Sequence, residues 1–376
     1  MNSLALQNPS DPDATYRNKS GKLYRGYAAN IEETVGKNGS VVTDYQYDKN
    51  THTDSLFLQE SLSAMEKSEE EIILITDGGY DGQDNIALAK EKNVNFMFEA
   101  SVGGGIPIIR PLNSCLTADE IEEITGIVNG TTNYMMTEMS EKGADFDEVL
   151  KDAQAKGYAE KDPTADIEGY DACRKIAILT SLACGQQVDF EDIHTEGITH
   201  ISATDIKYAK AMGRAIKLLA TSKKTDGGYV AMVAPFLLPK EHPLYNVNGV
   251  FNAIFVHGNV LGDAMFYGSG AGKLPTASAV VADVVEMAKN VDKNIPVKWS
   301  SKKLELVDYR SAENRFFVRV SGTDKASVEK VFGNVEYIDA QGVTGELGFV
   351  TEVMTEEALE NKKAAYGEVL NVIRVA

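Results

Sequence analysis

Residues 157–175 read GYAEKDPTADIEGYDACRK. Proline fixes its own φ and pushes the preceding residue out of the helical region, so Asp162-Pro163 marks a turn that separates an extended part from a helix. The helix is expected to begin near Ile167. Asp171 and Lys175 are four apart and share a face of it, which sets an ammonium beside a carboxylate. Glu160, Asp162, Asp166 and Glu168 lie in the same run. Taken alone, an i, i+4 pair is a surface contact worth roughly a few tenths of a kcal/mol, so the run gains meaning only from its surroundings.

Outward toward the C-terminus, helical patterns are expected from a capped start at Thr117-Ala118-Asp119-Glu120 through about Ala183, and again from Ser202 to Ser222. A strand-rich stretch follows over Tyr229–Leu238 and Val250–Tyr267, then a helix over Thr276–Lys289. From Asn314 the tail reads strand (RFFVRVSG), helix (KASVEKVFG), strand (VEYIDA), strand (LGFVTEVM), helix (EEALENKKAAYG), strand (VLNVIRV). That order is the βαββαβ pattern of a ferredoxin-like domain.

Toward the N-terminus the chain is polar. Two strand-like runs, Gly26–Ile31 and Ser40–Tyr47, are broken by the Gly36-Lys37-Asn38-Gly39 turn. A helix is expected over Asp54–Lys67, a buried strand over Glu71–Thr76 (EIILIT), a helix over Gln83–Lys92 and a second buried strand over Val94–Ala100 (VNFMFEA). The last three make a βαβ unit with a parallel pair.

Composition narrows the function classes. The 376 residues call for two or three domains. With 43% apolar and 25% charged residues the chain suits a soluble globular protein. No apolar run reaches about 18 residues and the N-terminus lacks a secretory pattern, so a cytoplasmic location is expected and no membrane partner. The net charge of −19 would repel a phosphate backbone, which disfavours nucleic acid. Cys115, Cys173 and Cys184 form no C-x-x-C pair and the five histidines show no ligand spacing, so neither suggests a metal site.

The run at 157–175 resembles, position by position, the signature of homoserine dehydrogenases: A-x-x-x-G, an aromatic residue, a short spacer, D-P-x-x-D, then G-x-D-x-x-x-K. Here these are Ala153, Gly157, Tyr158, Asp162, Pro163, Asp166, Gly169, Asp171 and Lys175. The resemblance extends from about residue 93 to 300 through FEASVGGGIPIIRPL (Phe98–Leu112), NGTTNYM (Asn129–Met135) and GSGAGKLPTASAV (Gly268–Val280). It implies reversible hydride transfer between NADP or NAD and aspartate semialdehyde, giving homoserine. Lys175 would be the proton donor, Asp171 would orient it and bind substrate, and Glu160 would bind the substrate's amino group, a task that suits a fixed carboxylate. Asp166 would support the turn. Gly157, Gly270 and Gly272 would border the nicotinamide, and Glu99 with the carbonyls of Val102, Gly104 and Ile106 would hold a monovalent cation such as sodium. A glycine-rich bend at Gly103–Gly105 would otherwise need only its backbone freedom. The tail resembles the amino-acid-binding domain called ACT, which implies threonine as an effector; a homo-oligomer, dimer or tetramer, is also expected.

The front of the chain departs from that family. A dinucleotide site needs a glycine-rich turn at a helix N-terminus so that backbone can approach the pyrophosphate, and no G-x-G-x-x-G occurs before Glu99. Residues 10–55 instead resemble a DDE-type insertion-sequence transposase, whose second catalytic strand would be EIILITDGGYDG with Asp77 as a metal-binding carboxylate. The remaining carboxylates that two-metal phosphoryl transfer requires have no place in the chain. The expected fold class is thus α/β and α+β: an incomplete parallel α/β domain (1–93, transposase-like), a homoserine dehydrogenase-type α+β catalytic domain (94–303) and a ferredoxin-like βαββαβ domain (304–376). The expected function is a homoserine dehydrogenase impaired in its cofactor half, the alternative an inactive fusion that binds amino acid and oligomerises.

Overall fold

A computed structural model describes residues 15–19, 22–36, 39–49, 52, 54–64, 83–92, 95–290, 293, 295–297 and 299–376. The chain divides into two compact units, residues 1–101 with 280–297 and residues 102–279 with 298–376.

In the smaller unit β1 (Thr15–Lys19), β2 (Lys22–Gly36) and β3 (Gly39–Lys49) form an antiparallel meander. Gly36 pairs with Gly39, where the reversal between the two strands was expected, and the strands run longer than the sequence patterns foretold. This sheet is antiparallel; the expected parallel pair involves Glu71–Thr76, which, like Asp77, lies outside the described residues. α1 (Asp54–Ala64) and α2 (Gln83–Lys92) stand where helices were expected. They bury Phe57, Leu58, Leu62 and Ala89, and Asn85 donates from α2 to Ser55 Oγ at 3.1 Å. Residues 95–100, most of the second buried strand expected, do not form a strand. Only Asn95 makes a bridge, its carboxamide taken by the backbone of Lys293 (2.9 Å) and Ile295 (2.7 Å), and the chain then turns through a short 3-10 segment at Glu99–Ser101.

The larger unit opens with a second correction. Where a capped helix was expected at Thr117–Glu120, the chain turns into β4 (Ile121–Ile127). The Asp119 carboxylate accepts from the amides of Val260 (3.0 Å) and Leu261 (2.6 Å), and the β-branched IEEITGI run pairs with strands on both sides. Helices α3 (Gly130–Lys142), α4 (Phe146–Ala155), α5 (Thr164–Ile167) and α6 (Tyr170–Cys184) follow, then the short β5 (Gln186–Gln187) and β6 (His194–Thr195). The helix expected from Ser202 to Ser222 stops early: α7 (Ala203–Ala211) ends before Gly213, whose φ is 65°, and β7 (Ala215–Thr225) runs on as a strand. β7 pairs along its length with β8 (Gly228–Leu238), and an apolar run such as AIKLLA cannot be told from helix by periodicity alone. β9 (Phe251–Gly258) and β10 (Gly262–Ser269) form the expected strand-rich stretch, and α8 (Lys273–Lys289) the expected helix.

After β11 (Ser300–Lys303) the tail holds β12 (Glu313–Ser321), α9 (Lys325–Phe332), β13 (Val335–Ile338), β14 (Glu346–Thr351), the two-residue β15 (Met354–Thr355), α10 (Glu356–Tyr366) and β16 (Val369–Val375). The expected βαββαβ order is present, with strands side by side as β16-β12-β14-β13. Phe316, Val318 and Val320 alternate along β12 and bury one face against Val328, Phe332 and Leu359 of the helices. The other face meets α7. Phe317 lies 5.1 Å from the Tyr208 ring, and Gly348 leaves room for that ring, since a Cβ there would stand 2.3 Å from it.

β16 runs parallel to β8, Arg374 beside Phe236, so the tail strands extend the main sheet to the order β10-β9-β4-β7-β8-β16-β12-β14-β13. The fold is mixed α/β around one large mixed sheet.

Candidate active site

The site is built on three helix starts. Asn129 caps α3 from an extended conformation, its Oδ1 accepting from the Thr132 amide at 2.9 Å and the Thr132 hydroxyl at 3.0 Å. Its Nδ2 then donates to Asp166 Oδ1 at 2.7 Å and to Asp171 Oδ2 at 2.9 Å. One buried carboxamide thus joins the helices that follow the Asp162-Pro163 turn. Asp166 lies on the one-turn α5 and Asp171 in the first turn of α6, so the single helix expected from Ile167 is in fact broken at Gly169. The break is required: Gly169 has φ 81° and a Cβ there would press on Glu196 O, Thr195 and Val233 at 3.2 Å each.

Lys175 stands one turn along α6. Its ammonium donates to Asp171 Oδ2 at 2.7 Å and to Val128 O at 3.0 Å, and both side chains are partly exposed. The i, i+4 pair expected from the sequence is therefore formed, with Asn129 as a third member. Burial raises the Asp166 carboxyl above its ordinary range; the Asn129 hydrogen bond opposes the shift and the charge of Asp171 adds to it.

The segment from Gly157 to Asp162 closes the cluster on another side. Gly157, at φ 75°, ends α4 in a turn where the amides of Tyr158 and Ala159 both donate to Ala153 O. The Thr131 hydroxyl donates to Tyr158 O at 2.6 Å, pinning that turn to α3. The Tyr158 ring meets Tyr134 edge-on at 4.9 Å, while the Tyr134 hydroxyl donates to Asp152 and accepts from Lys156 at 2.6 Å. Glu160 is exposed just beyond, its carbonyl accepting from Gln154 Nε2 at 3.0 Å. Hydrogen bonds from Thr164 hold the Asp162 carboxyl below its ordinary range.

The glycines expected near the nicotinamide (Gly157, Gly270 and Gly272) and the cation (Gly104) divide. Gly270 and Gly104 face one another: a Cβ on Gly270 would fall 2.1 Å from the Asn252 carboxamide, and one on Gly104 2.4 Å from Gly270 O. Packing alone therefore demands glycine at both. At Gly157 a Cβ would meet nothing within 4 Å, and at Gly272 (φ 120°) only Pro275 at 3.5 Å. Val102, Gly104 and Ile106 belong to the larger unit, Glu99 to the smaller one, where its amide donates to Asp283 Oδ2 at 2.9 Å. Among the described residues one trio could be taken for a metal group, Asp48, His52 and Glu60. The two carboxylates face opposite ring nitrogens of His52, at 3.6 and 3.3 Å.

Asn129 is the site residue that the sequence reading leaves without a role. It lies more than thirty positions from its carboxylate partners, and its only local signal is that of a helix cap before Gly130-Thr131-Thr132.

With this geometry in view, comparison with known proteins is decisive. A family model described as homoserine dehydrogenase matches residues 107–285. The homoserine dehydrogenase crystal structure from Thiobacillus denitrificans is 35% identical, with a TM-score of 0.71 over 78% of this chain and 73% of that one. The chain belongs to the homoserine dehydrogenase family. The homoserine dehydrogenase of Neisseria gonorrhoeae is 49% identical over 211 residues, 56% of this chain and 48% of that protein, and that of Bacillus subtilis 46% identical over 210 residues, again 56% and 48%. The chain thus spans about half the length of these curated relatives.

Proposed function

We propose that the chain interconverts aspartate semialdehyde and homoserine with NADP or NAD, as an enzyme of amino-acid biosynthesis. The observation that carries this reading is the Lys175 ammonium. It has three N–H donors; Asp171 and Val128 O engage two of them, and the third is left for a substrate carbonyl oxygen. Lys175 then gives the proton as the carbonyl is reduced and recovers it in the reverse direction. Asp171 orients the ammonium and, with Glu160, receives the amino-acid end of the substrate. The cofactor supplies the hydride. Gly157 and Gly272, where no side chain crowds the backbone, fit the nicotinamide end, whereas no glycine-rich fingerprint before Glu99 serves the pyrophosphate.

The cofactor half is therefore proposed to be impaired, with residues 1–93 of transposase-like origin ahead of a catalytic part (94–303) and an ACT-like tail (304–376). NADPH consumption with aspartate semialdehyde tests the reaction, and fluorescence titration with NADPH tests the impairment. Ordinary micromolar affinity would remove the impairment. The absent fingerprint also favours a second reading, an inactive fusion that only binds amino acid; calorimetric binding of homoserine without turnover would select it.

Threonine at the tail, a sodium ion and a dimer or tetramer complete the proposal, each open to calorimetry, to assay in sodium against choline salts, and to light scattering. No helix of the described residues is long and apolar enough to cross a membrane; a cytoplasmic location and the absence of a nucleic-acid partner remain part of the proposal.

A further inference from the structure

A charged cluster away from the reacting groups bears on them through backbone. Arg374, on the last strand, is 4% exposed and its guanidinium is held between two carboxylates. It donates to Glu356 Oε1 at 2.6 Å and Oε2 at 3.0 Å on one side, and to Glu196 Oε2 at 2.9 Å and Oε1 at 2.8 Å on the other. Glu196 Oε1 also meets His194 Nε2 at 2.6 Å, and the His194 ring stacks on Tyr309 at 3.7 Å. Two bidentate pairs on one guanidinium fix position far better than two single contacts would.

What Glu196 fixes is the floor of the site. Its amide donates to Val233 O at 2.7 Å, and the next residue, Gly197, lies flat on the α5–α6 turn: a Cβ there would fall 2.1 Å from Ile167 O and 2.5 Å from Glu168 Cα. Ile198 N donates to Ile167 O at 2.8 Å, and the carbonyl of Glu196 is a near neighbour of Gly169. Residues 167–169 in turn separate Asp166 from Asp171, the two carboxylates that Asn129 spans.

We propose that Arg374 is a positioning residue for the active site: by clamping Glu196 it holds the 196–198 segment under Ile167–Gly169 and so sets the spacing of Asp166, Asp171 and Lys175. The inference rests on the proposed function only for its kinetic consequence. Loosening the clamp leaves every group that would touch substrate chemically intact but lets the α5–α6 turn, and with it their spacing, shift, and displacements of about 1 Å far from the chemistry cost up to about a hundredfold.

Hydrogen exchange on the full chain, followed over residues 163–170 and 194–198, tests this in Arg374→Lys, which keeps the charge and loses the fork. Amides of Glu168, Gly169 and Ile198 are expected to exchange about tenfold faster, and homoserine turnover to fall about tenfold with the KM for cofactor unchanged. Faster exchange at 194–198 with 163–170 unchanged would overturn the proposal, as would unchanged turnover in an active chain. Should Arg374→Lys not fold, Glu196→Gln, which leaves the Glu356 pairing whole, is read in the same way. A wild-type chain without turnover would defeat the proposed function alone, since exchange is read without catalysis.

Discussion

The hairpin of β2 and β3 and the cluster around Lys175 were both signalled by a short run of sequence, yet they are different kinds of object. In the hairpin, four consecutive residues, Gly36 to Gly39, set the reversal and the register follows strand by strand. In the cluster, the signature residues Asp166, Asp171 and Lys175 reach their final geometry only through Asn129 and Val128, contributed by the end of β4 and the start of α3. A local signal can therefore name the chemistry of a site without containing its geometry. The site should fail when remote partners are altered, and the following predictions press on that point.

The largest effect is expected at Lys175, the group proposed to touch the reacting oxygen. Lys175→Met keeps the length of the side chain and removes the proton, and turnover of homoserine is expected to fall by about 10²- to 10⁴-fold in steady-state assays at saturating cofactor. Unchanged turnover would take Lys175 out of its role and reduce the Asp171 pair to an ordinary helix contact.

Next comes a remote group that holds α3 in place. Lys217 on β7 is 2% exposed and donates to Asn133 Oδ1 (3.1 Å), Val247 O (2.6 Å) and Asn248 Oδ1 (2.8 Å). Burial pushes its ammonium down to about 8 from the ordinary 10.5. The native state then holds this proton less tightly than the unfolded chain, so stability is expected to rise as pH increases from about 8 to about 10.5. A displacement of that size is worth on the order of 3 kcal/mol. Urea unfolding at pH 7.5, 9 and 10.5, wild type beside Lys217→Met, measures it; the same pH profile in both proteins would show that Lys217 is not the group responsible.

How far the fold can be read in advance follows the same division. Helices with their own caps and glycine stops, such as the tail helices α9 and α10, and the βαββαβ order itself were legible because each is decided within a dozen residues. β4 and β7 were not. IEEITGI and AIKLLATSKKT carry apolar spacing that suits either structure, and only the neighbours, β9 and β7 for β4 and β8 for β7, make them strands. Of the site, the contact between Asp171 and Lys175 was legible from their spacing, whereas the roles expected of them and of Glu160 came only from resemblance. The glycines at 104 and 270 were expected as backbone contacts to a cation and to the nicotinamide, and each is also demanded by packing, since a Cβ there would meet Gly270 O or Asn252. Nothing in a linear motif distinguishes a glycine that admits a cofactor from one that admits another stretch of backbone.

Two N-caps give the finest test of the local against the remote. Thr355 caps α10 by accepting from the Ala358 amide at 3.2 Å, a bond that begins and ends within one helix turn. Asn129 caps α3 in the same way, by accepting from the Thr132 amide, but its other atom joins Asp166 and Asp171. Thr355→Ala should cost about 1 kcal/mol in urea unfolding, as N-cap losses do, and leave homoserine turnover within about twofold. Asn129→Ala should cost about 1–3 kcal/mol, because it also removes the Asn129 donor from the half-buried carboxylate of Asp166, and should lower turnover as well. If the two variants lost equal stability and neither lost activity, Asn129 would be a cap and nothing more. The distinction between a local signal and a remote geometry would then fail at the residue where it is drawn most sharply.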